Sequence, residues 1–369
     1  MQSESSVKVL IVDDSAIMRQ LLTDIFRSCP QIHVVGTAKD GRDALEKTRD
    51  LRPDVITLDV EMPVMTGLEA LPGLVGIYQK PVVMVSSLTQ EGAETTIQAL
   101  ELGAVDFVPK PSTNSIARMR EDADEIIAKV LAAASSKIRI TPAPAKFPPK
   151  SPTEKTSFSE TVRPREIRNG NRLHGSDIAP KHIVLIGIST GGPQALNDTL
   201  VHLTPPIPPV LIVQHMPPRF TSAFAERLNA KCQVEVHEAR SGDKPKNNLI
   251  LIAPGGRQMK LTGKTIGNAA IEITDESPMS GHKPSIDYLF QSVVPIFGTS
   301  TTAILMTGMG RDGVRGTALI RQSGGSTFGQ DEASSTVYGM NKAGWLEGAI
   351  ETQFPLEKLP EIIQQSWTR

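Results

Sequence analysis

The sequence predicts a two-part α/β protein: a doubly wound unit of five parallel strands, then a second α/β unit with a mostly parallel sheet. Three observations carry this. Short Val- and Ile-rich runs alternate with amphipathic helical patterns, as a parallel sheet covered by helices requires. The alternation occurs twice, over residues 7–125 and 181–369. Between them, residues 126–180 turn to Pro, Ser, Thr, Lys and Arg with few large apolar side chains. A chain of 369 residues is also too long for one ordinary domain.

The bulk numbers exclude several classes. Hydrophobic content of 39% and charge of 21% are globular values, and a net charge of −1 leaves no basic footprint for nucleic acid. Cys29 and Cys232 make neither a disulfide framework nor a metal cluster, which fits a reducing, cytoplasmic setting. No apolar run approaches the ~18 residues of a membrane span, so no direct membrane insertion is expected.

In the first unit the strand-like runs are Val7–Val12, His33–Thr37, Asp54–Leu58, Pro81–Val85 and Val105–Val108. Ile17, Met18, Leu21, Leu22, Ile25 and Phe26 share one helical face behind a Ser15 or Asp14 cap. Sites in such sheets lie beyond the C-terminal strand ends. Asp13 and Asp14 follow the first strand and Asp59 closes the third. Three acids at equivalent ends can form an oxygen-rich pocket for Mg²⁺, beside which a carboxylate can accept a phosphoryl group. Ser86 ends the fourth strand and Lys110 follows the fifth; both can contact such a group.

Asp13-Asp14, Leu58-Asp-Val-Glu-Met-Pro63, Ser86 and Lys110-Pro111 together resemble the receiver domain of bacterial two-component response regulators, a flavodoxin-like fold. The resemblance implies Asp59 as phosphoacceptor and a Mg²⁺ site from Asp14, Asp59, the Glu61 carbonyl and, directly or through water, Asp13. It implies Ser86 and Lys110 as phosphoryl contacts and a histidine kinase as phosphodonor. Phe107 falls at the receiver's aromatic switch position, or simply packs in the core.

Residues 126–134 continue a helix; the following Pro-rich stretch reads as a tether. In the second unit, strands are expected at Ile183–Ile186, Val210–Val213, Val234–His237, Leu249–Ala253, Ile271–Thr274 and Thr301–Met306. Helices are expected at Pro193–Leu203, Phe220–Ala230, Pro284–Ile296 and Val314–Gln322, with Leu356–Trp367 interrupted at Pro360. Gly242-Asp243 and Gly255-Gly256 look like hairpin turns that make part of the sheet antiparallel.

Ser189 sits in Gly187-Ile-Ser-Thr-Gly191, a strand-to-helix turn fitting G-x-S-x-G, which presents a serine near backbone N–H groups. Such turns also bind phosphate or merely close tightly. His215 and Asp312 each follow a strand. If the three strands are parallel, a serine, a base and an orienting acid emerge on one edge, the parts of an acyl-transfer triad. A competing reading takes Gly308-Met-Gly-Arg-Asp-Gly313 as a dinucleotide fingerprint with Asp331 on the ribose.

The motifs 186–192, Gln214-His-Met-Pro-Pro218, Ala253-Pro-Gly-Gly-Arg257, 282–290, 305–313 and Gln330-Asp-Glu-Ala-Ser334 resemble the chemotaxis protein-glutamate methylesterases, the CheB family. The resemblance implies Ser189 as nucleophile, His215 as base, Asp312 as its orienting acid, and Thr190 and Met309 lining the site. An oxyanion hole is expected in N–H groups near Met309 or the Ser189 turn. It implies methyl-accepting chemoreceptors as substrate, glutamine deamidation as a second activity, and no cofactor for the esterase. Arg257 and His282 fall in these motifs without an assigned step. Ile188 and Asn341 stand where the family usually has a small residue and Pro. The alternative is a catalytically silent, phosphorylation-dependent binding module on a receptor array.

Overall fold

The computed structural model describes residues 6–87, 89–111, 116–136 and 180–367. The expected tether beyond residue 136 lies outside the described residues. The first unit runs β1 (Val7–Val12), α1 (Ala16–Arg27), β2 (Ile32–Ala38), α2 (Gly41–Leu51), β3 (Val55–Asp59), α3 (Gly67–Pro72), β4 (Val82–Ser86), α4 (Gln90–Glu101), β5 (Asp106–Pro109) and α5 (Ile116–Ala134). Its sheet has the order β2-β1-β3-β4-β5, all parallel. β3 and β4 are buried along their whole length, as strands covered on both faces must be. α1 starts at Ser15, whose hydroxyl accepts from the Met18 N–H.

The second unit runs β6 (Ile183–Ile188), α6 (Gly192–Leu200), β7 (Val210–Gln214), α7 (Phe220–Lys231), β8 (Glu235–Glu238), β9 (Leu249–Ile252), β10 (Gln258–Thr262), β11 (Ala270–Thr274), α8 (Ile286–Phe297), β12 (Thr301–Leu305), α9 (Val314–Gln322), β13 (Ser326–Gln330), α10 (Met340–Leu346), β14 (Thr352–Phe354) and α11 (Leu359–Gln365). Its sheet has the order β14-β13-β12-β6-β7-β9-β8. Every pair in it is parallel. The chain builds outward from β6 on one side, then returns to add β12, β13 and β14 on the other. The topological switch therefore lies between β6 and β12.

Three expectations are corrected. Gly242-Asp243 is not a hairpin: β8 and β9, which it joins, pair in parallel. Nor is Gly255-Gly256, since β9 stays in the large sheet while β10 pairs only with β11, antiparallel, in a separate ribbon. Gly255 is instead pressed against the loop after β7, where a Cβ would lie 2.3 Å from the Pro217 carbonyl carbon. Pro360 opens α11 rather than interrupting a helix, because proline suits a first turn whose N–H is unpaired anyway.

The two units pack together. α4 lies against α6 and α7. The Phe107 ring stacks on Phe220 with centroids 4.4 Å apart, and both rings are buried. Glu101 on α4 accepts from Arg227 at 2.7 Å and Lys231 at 2.7 Å on α7. Asp106 on β5 accepts from the Thr190 hydroxyl at 2.5 Å. Among the described residues no helix is long and apolar enough to cross a membrane.

Candidate active site and phosphoacceptor pocket

In the first unit the register brings four strand ends level. Asp13 follows β1, Asp59 ends β3, Ser86 ends β4 and Lys110 follows β5. Lys110 Nζ lies 2.8 Å from Asp59 Oδ2 and 3.3 Å from Asp13 Oδ2. Asp14, Asp59, Glu61, Ser86 and Lys110 line one pocket, together with Val60 to Pro63. Ser86 Oγ points back to the Gly92 carbonyl at 3.3 Å, so it must turn to meet a ligand in the pocket. Gly67 is required here, because a Cβ would lie 2.0 Å from the Asp59 carbonyl oxygen.

The pocket's electrostatics favour a cation. Carboxylate oxygens of Asp13, Asp14 and Asp59 all lie within 4.8 Å of one another. Burial pushes the Asp59 carboxyl up to about 6, with Asp13 adding repulsion against the pull of Lys110. Burial likewise raises Asp13, whose Oδ2 is buried and lacks a well-formed hydrogen bond beyond the Lys110 ion pair. An oxygen-only set with one underused buried oxygen and crowded negative charge fits a hard divalent cation such as Mg²⁺.

In the second unit, β6 lies between β7 and β12. The paired registers Ile188↔Gln214 and Leu305↔Gly187 put Ser189, His215 and the 307–313 loop side by side at the C-terminal edge. His215 N–H donates to the Ile188 carbonyl at 3.1 Å, and Ser189 N–H to the Thr307 carbonyl at 2.9 Å. His215 Nε2 lies 2.8 Å from Asp312 Oδ2. An ionised carboxylate only accepts, so Nε2 carries the proton and Nδ1 is left with a lone pair. Nδ1 is buried without a hydrogen-bond partner. Asp312 also accepts from Ile286 N–H at 2.7 Å, Ser285 Oγ at 2.8 Å and Asp287 N–H at 3.1 Å. Burial pushes this carboxyl up, yet His215 and these donors outweigh it and hold Asp312 below its ordinary value.

The neighbours that sequence reading left without a role are now visible. His282 stacks on His215 with ring centroids 3.8 Å apart and planes 10° from parallel. Burial and the facing His215 depress His282 to about 4, so it stays a neutral ring at physiological pH. Thr307 Oγ donates to the Thr190 carbonyl at 2.9 Å, and Thr307 N–H to Gln330 Oε1 at 2.9 Å, tying the Ser189 turn to β13. Asn341 is buried and donates to the Gln330 carbonyl at 2.6 Å. The cap-like Ser285 in the 282–290 motif was the one sequence signal for the Asp312 donors. Arg257 sits apart, on Thr274 and Asp275. Met309 is 39% exposed at the mouth. Gly308 and Gly313 serve this packing: Asp312 faces His215, and Asp331 caps its own turn by accepting from Ser334 N–H at 2.8 Å. That leaves the fingerprint reading without its acid.

Residues 184–363 match the family model described as CheB methylesterase, and residues 9–122 match the response regulator receiver domain. A protein-glutamate methylesterase/protein-glutamine glutaminase of Symbiobacterium thermophilum is 42% identical over 98% of this chain and 97% of its own. This chain belongs to the CheB methylesterase family. A protein of the same description from Pyrococcus abyssi is 42% identical over 97% of this chain and 92% of its own. The crystal structure of the Thermotoga maritima CheB methylesterase catalytic domain is 32% identical, with a TM-score of 0.48. It covers 50% of this chain and 97% of that one.

Two outcomes follow from the geometry. The folded pKa of Asp59, about 6, exceeds the unfolded value of roughly 3.9. Folding therefore favours the protonated form, and stability falls as pH rises through that window. Without divalent ions, Asp59→Asn should melt higher than wild type at about pH 7.5 and equally at about pH 3, below both pKa values. Mg²⁺ should raise only the wild-type transition. A wild-type melt at or above the variant's at neutral pH refutes the account. In the second unit, a Cβ on Gly308 would lie 2.6 Å from Ser189 Cβ. Gly308→Ala should slow fluorophosphonate labelling of Ser189 on the order of 10²-fold, the usual cost of a ~1 Å misplacement. Labelling within threefold of wild type counts against this packing.

Proposed function

We propose that residues 181–369 hydrolyse glutamate γ-methyl esters, and the amides of particular glutamines, on chemoreceptors. Residues 7–125 form the receiver that controls them, joined by 126–180. The observation that carries the chemistry is the free, buried Nδ1 of a histidine whose Nε2 is fixed on Asp312, beside a serine at the topological switch point. The names of the relatives support the same reading and not a silent binding module.

Ser189 Oγ attacks the ester carbonyl and its proton passes to His215 Nδ1. Asp312 remains ionised and stabilises the imidazolium, as the orienting acid of a triad does. The tetrahedral oxyanion takes backbone N–H groups near Met309 or the Ser189 turn. Nδ1 returns the proton to the departing methoxide, and methanol leaves. Water then attacks the acyl-enzyme, again giving its proton to Nδ1. Ser189 Oγ recovers that proton as the glutamate is released. With an amide, ammonia leaves instead, more slowly because it is the poorer leaving group.

The receiver's part rests on β5. Lys110 follows this strand and holds Asp59, while Asp106 at its other end holds the Thr190 hydroxyl next to the nucleophile. Asp59 accepts the phosphoryl group from a chemotaxis histidine kinase, with Lys110 and Ser86 contacting its oxygens. Asp14, Asp59 and the Glu61 main chain, with Asp13 close by, would hold Mg²⁺, which neutralises phosphoryl charge. Recruiting Lys110 to a new dianion shifts β5 and loosens Asp106 and Phe107 from the catalytic unit.

Methanol release from methylated receptor membranes tests both halves. Ser189→Ala should lose 10⁴- to 10⁶-fold in turnover, on the order of other triad deletions; retention within about tenfold refutes the nucleophile. Phe107→Ala, which removes the stacked ring at the interface, should raise the unphosphorylated rate several-fold, about 1 kcal/mol of lost docking. A basal rate at or below wild type counts against restraint of the catalytic unit through this interface.

A further inference from the structure

Asp312 precedes Gly313, the N-cap of α9, and Asp287 is the second residue of α8. Each carboxylate turns to the start of the other helix. Asp312 accepts from the Ile286 and Asp287 N–H groups of α8 at 2.7 and 3.1 Å. Asp287 Oδ1 accepts from the Gly316 N–H of α9 at 2.7 Å, and its Oδ2 from Ser280 Oγ at 3.2 Å. Both acids are buried.

The exchange has a local cause. A helix start leaves N–H groups unpaired, and a side chain at the N-cap usually serves one of them. α8 has such a cap in Ser285, which accepts from Tyr288 N–H. α9 has none, because its N-cap is Gly313. Nothing larger fits there: a Cβ would lie 2.6 Å from Ile286 Cγ2, and φ is +91°. Gly316 is equally pressed, with a Cβ 2.5 Å from Phe290 Cβ. The two helix starts are thus interlocked at distances that only glycine allows, and the missing cap comes from across the junction.

We propose that Asp287 is a positioning residue for hydrolysis: by capping α9 from α8, it fixes the turn that delivers Asp312 to His215. The inference rests on the triad reading above. An ordinary cap would matter to stability alone, but the helix start that Asp287 holds is continuous with Asp312. Burial pushes the Asp287 carboxyl up and the neighbouring Asp312 charge adds to this, against the pull of the Gly316 N–H. The like charges are tolerated because each faces a helix N-terminus. An asparagine at 287 keeps the acceptor for Gly316 and removes the repulsion.

The test uses the full chain, activated by a small phosphodonor and Mg²⁺, on methylated receptor membranes. Asp287→Ala should lower kcat about 30-fold with KM within about twofold, a loss confined to the transition state. Asp287→Asn should stay within about threefold of wild type. The low-field proton resonance of His215 Nε2–H should be broadened or shifted in the alanine variant and kept in the asparagine variant. Where Asp287→Ala does not fold, Ser280→Ala at the exposed end of the same carboxylate should lower kcat about threefold at unchanged KM. An alanine variant, or failing that a Ser280 variant, with wild-type kcat and an unmoved resonance overturns the proposal. So does an asparagine variant as impaired as alanine. Inactive wild type would instead overturn the esterase reading.

Discussion

The catalytic unit depends on one buried carboxylate. Asp312 brings a negative charge into the protein interior, which is tolerated only when its oxygens are paired. Four donors meet it: His215 Nε2, the Ser285 hydroxyl and the first two N–H groups of α8. Those partners come from two segments, and Asp312 itself lies on a third. Satisfying this one group therefore fixes the end of β7, the start of α8 and the turn into α9 relative to one another. His215 is held by its proton on Asp312 and by the face of His282, and its second nitrogen is left bare. A base whose lone pair is uncommitted and whose tautomer is set is what nucleophilic attack by a serine needs.

The phosphoacceptor pocket uses the opposite electrostatic device. Its acids are crowded and underpaired, and Asp59 is raised to about 6 as a result. Such a pocket is destabilised when empty and relieved by a cation or by a change of charge at Asp59. Lys110 is the shared partner, since it pairs with Asp13 and Asp59 together. β5 is only four residues long. It runs from this pocket to Asp106 and Phe107, which touch Thr190 and the ring of Phe220.

Much of this was legible in the chain. Strands β3, β4, β6, β7 and β12 are mostly apolar and buried along their whole length, because both faces of a parallel sheet are covered. Their C-terminal ends carry Asp59, Ser86, Ser189, His215 and the loop to Asp312, so strand periodicity alone places these residues at strand ends. The elements that sequence reading missed are those whose sequence does not advertise burial. β13 contains Gly329, β14 has three residues, and β10 pairs with a ribbon outside the main sheet.

The sequence by itself determined the two α/β units, the acids and lysine of one pocket, and the serine, histidine and aspartate of the other. Those follow from local periodicity and from residue chemistry. Only the tertiary structure decided that the main sheet of the second unit is wholly parallel, with β9 inserted beside β7. It alone decided which histidine nitrogen faces Asp312, that His282 lies flat on His215, and that Asp287 and Asp312 exchange helix starts. The reason is physical. Each of these is a contact between segments distant in the chain, set by shared burial and by the pairing of polar groups, and neither leaves a periodic trace in the sequence.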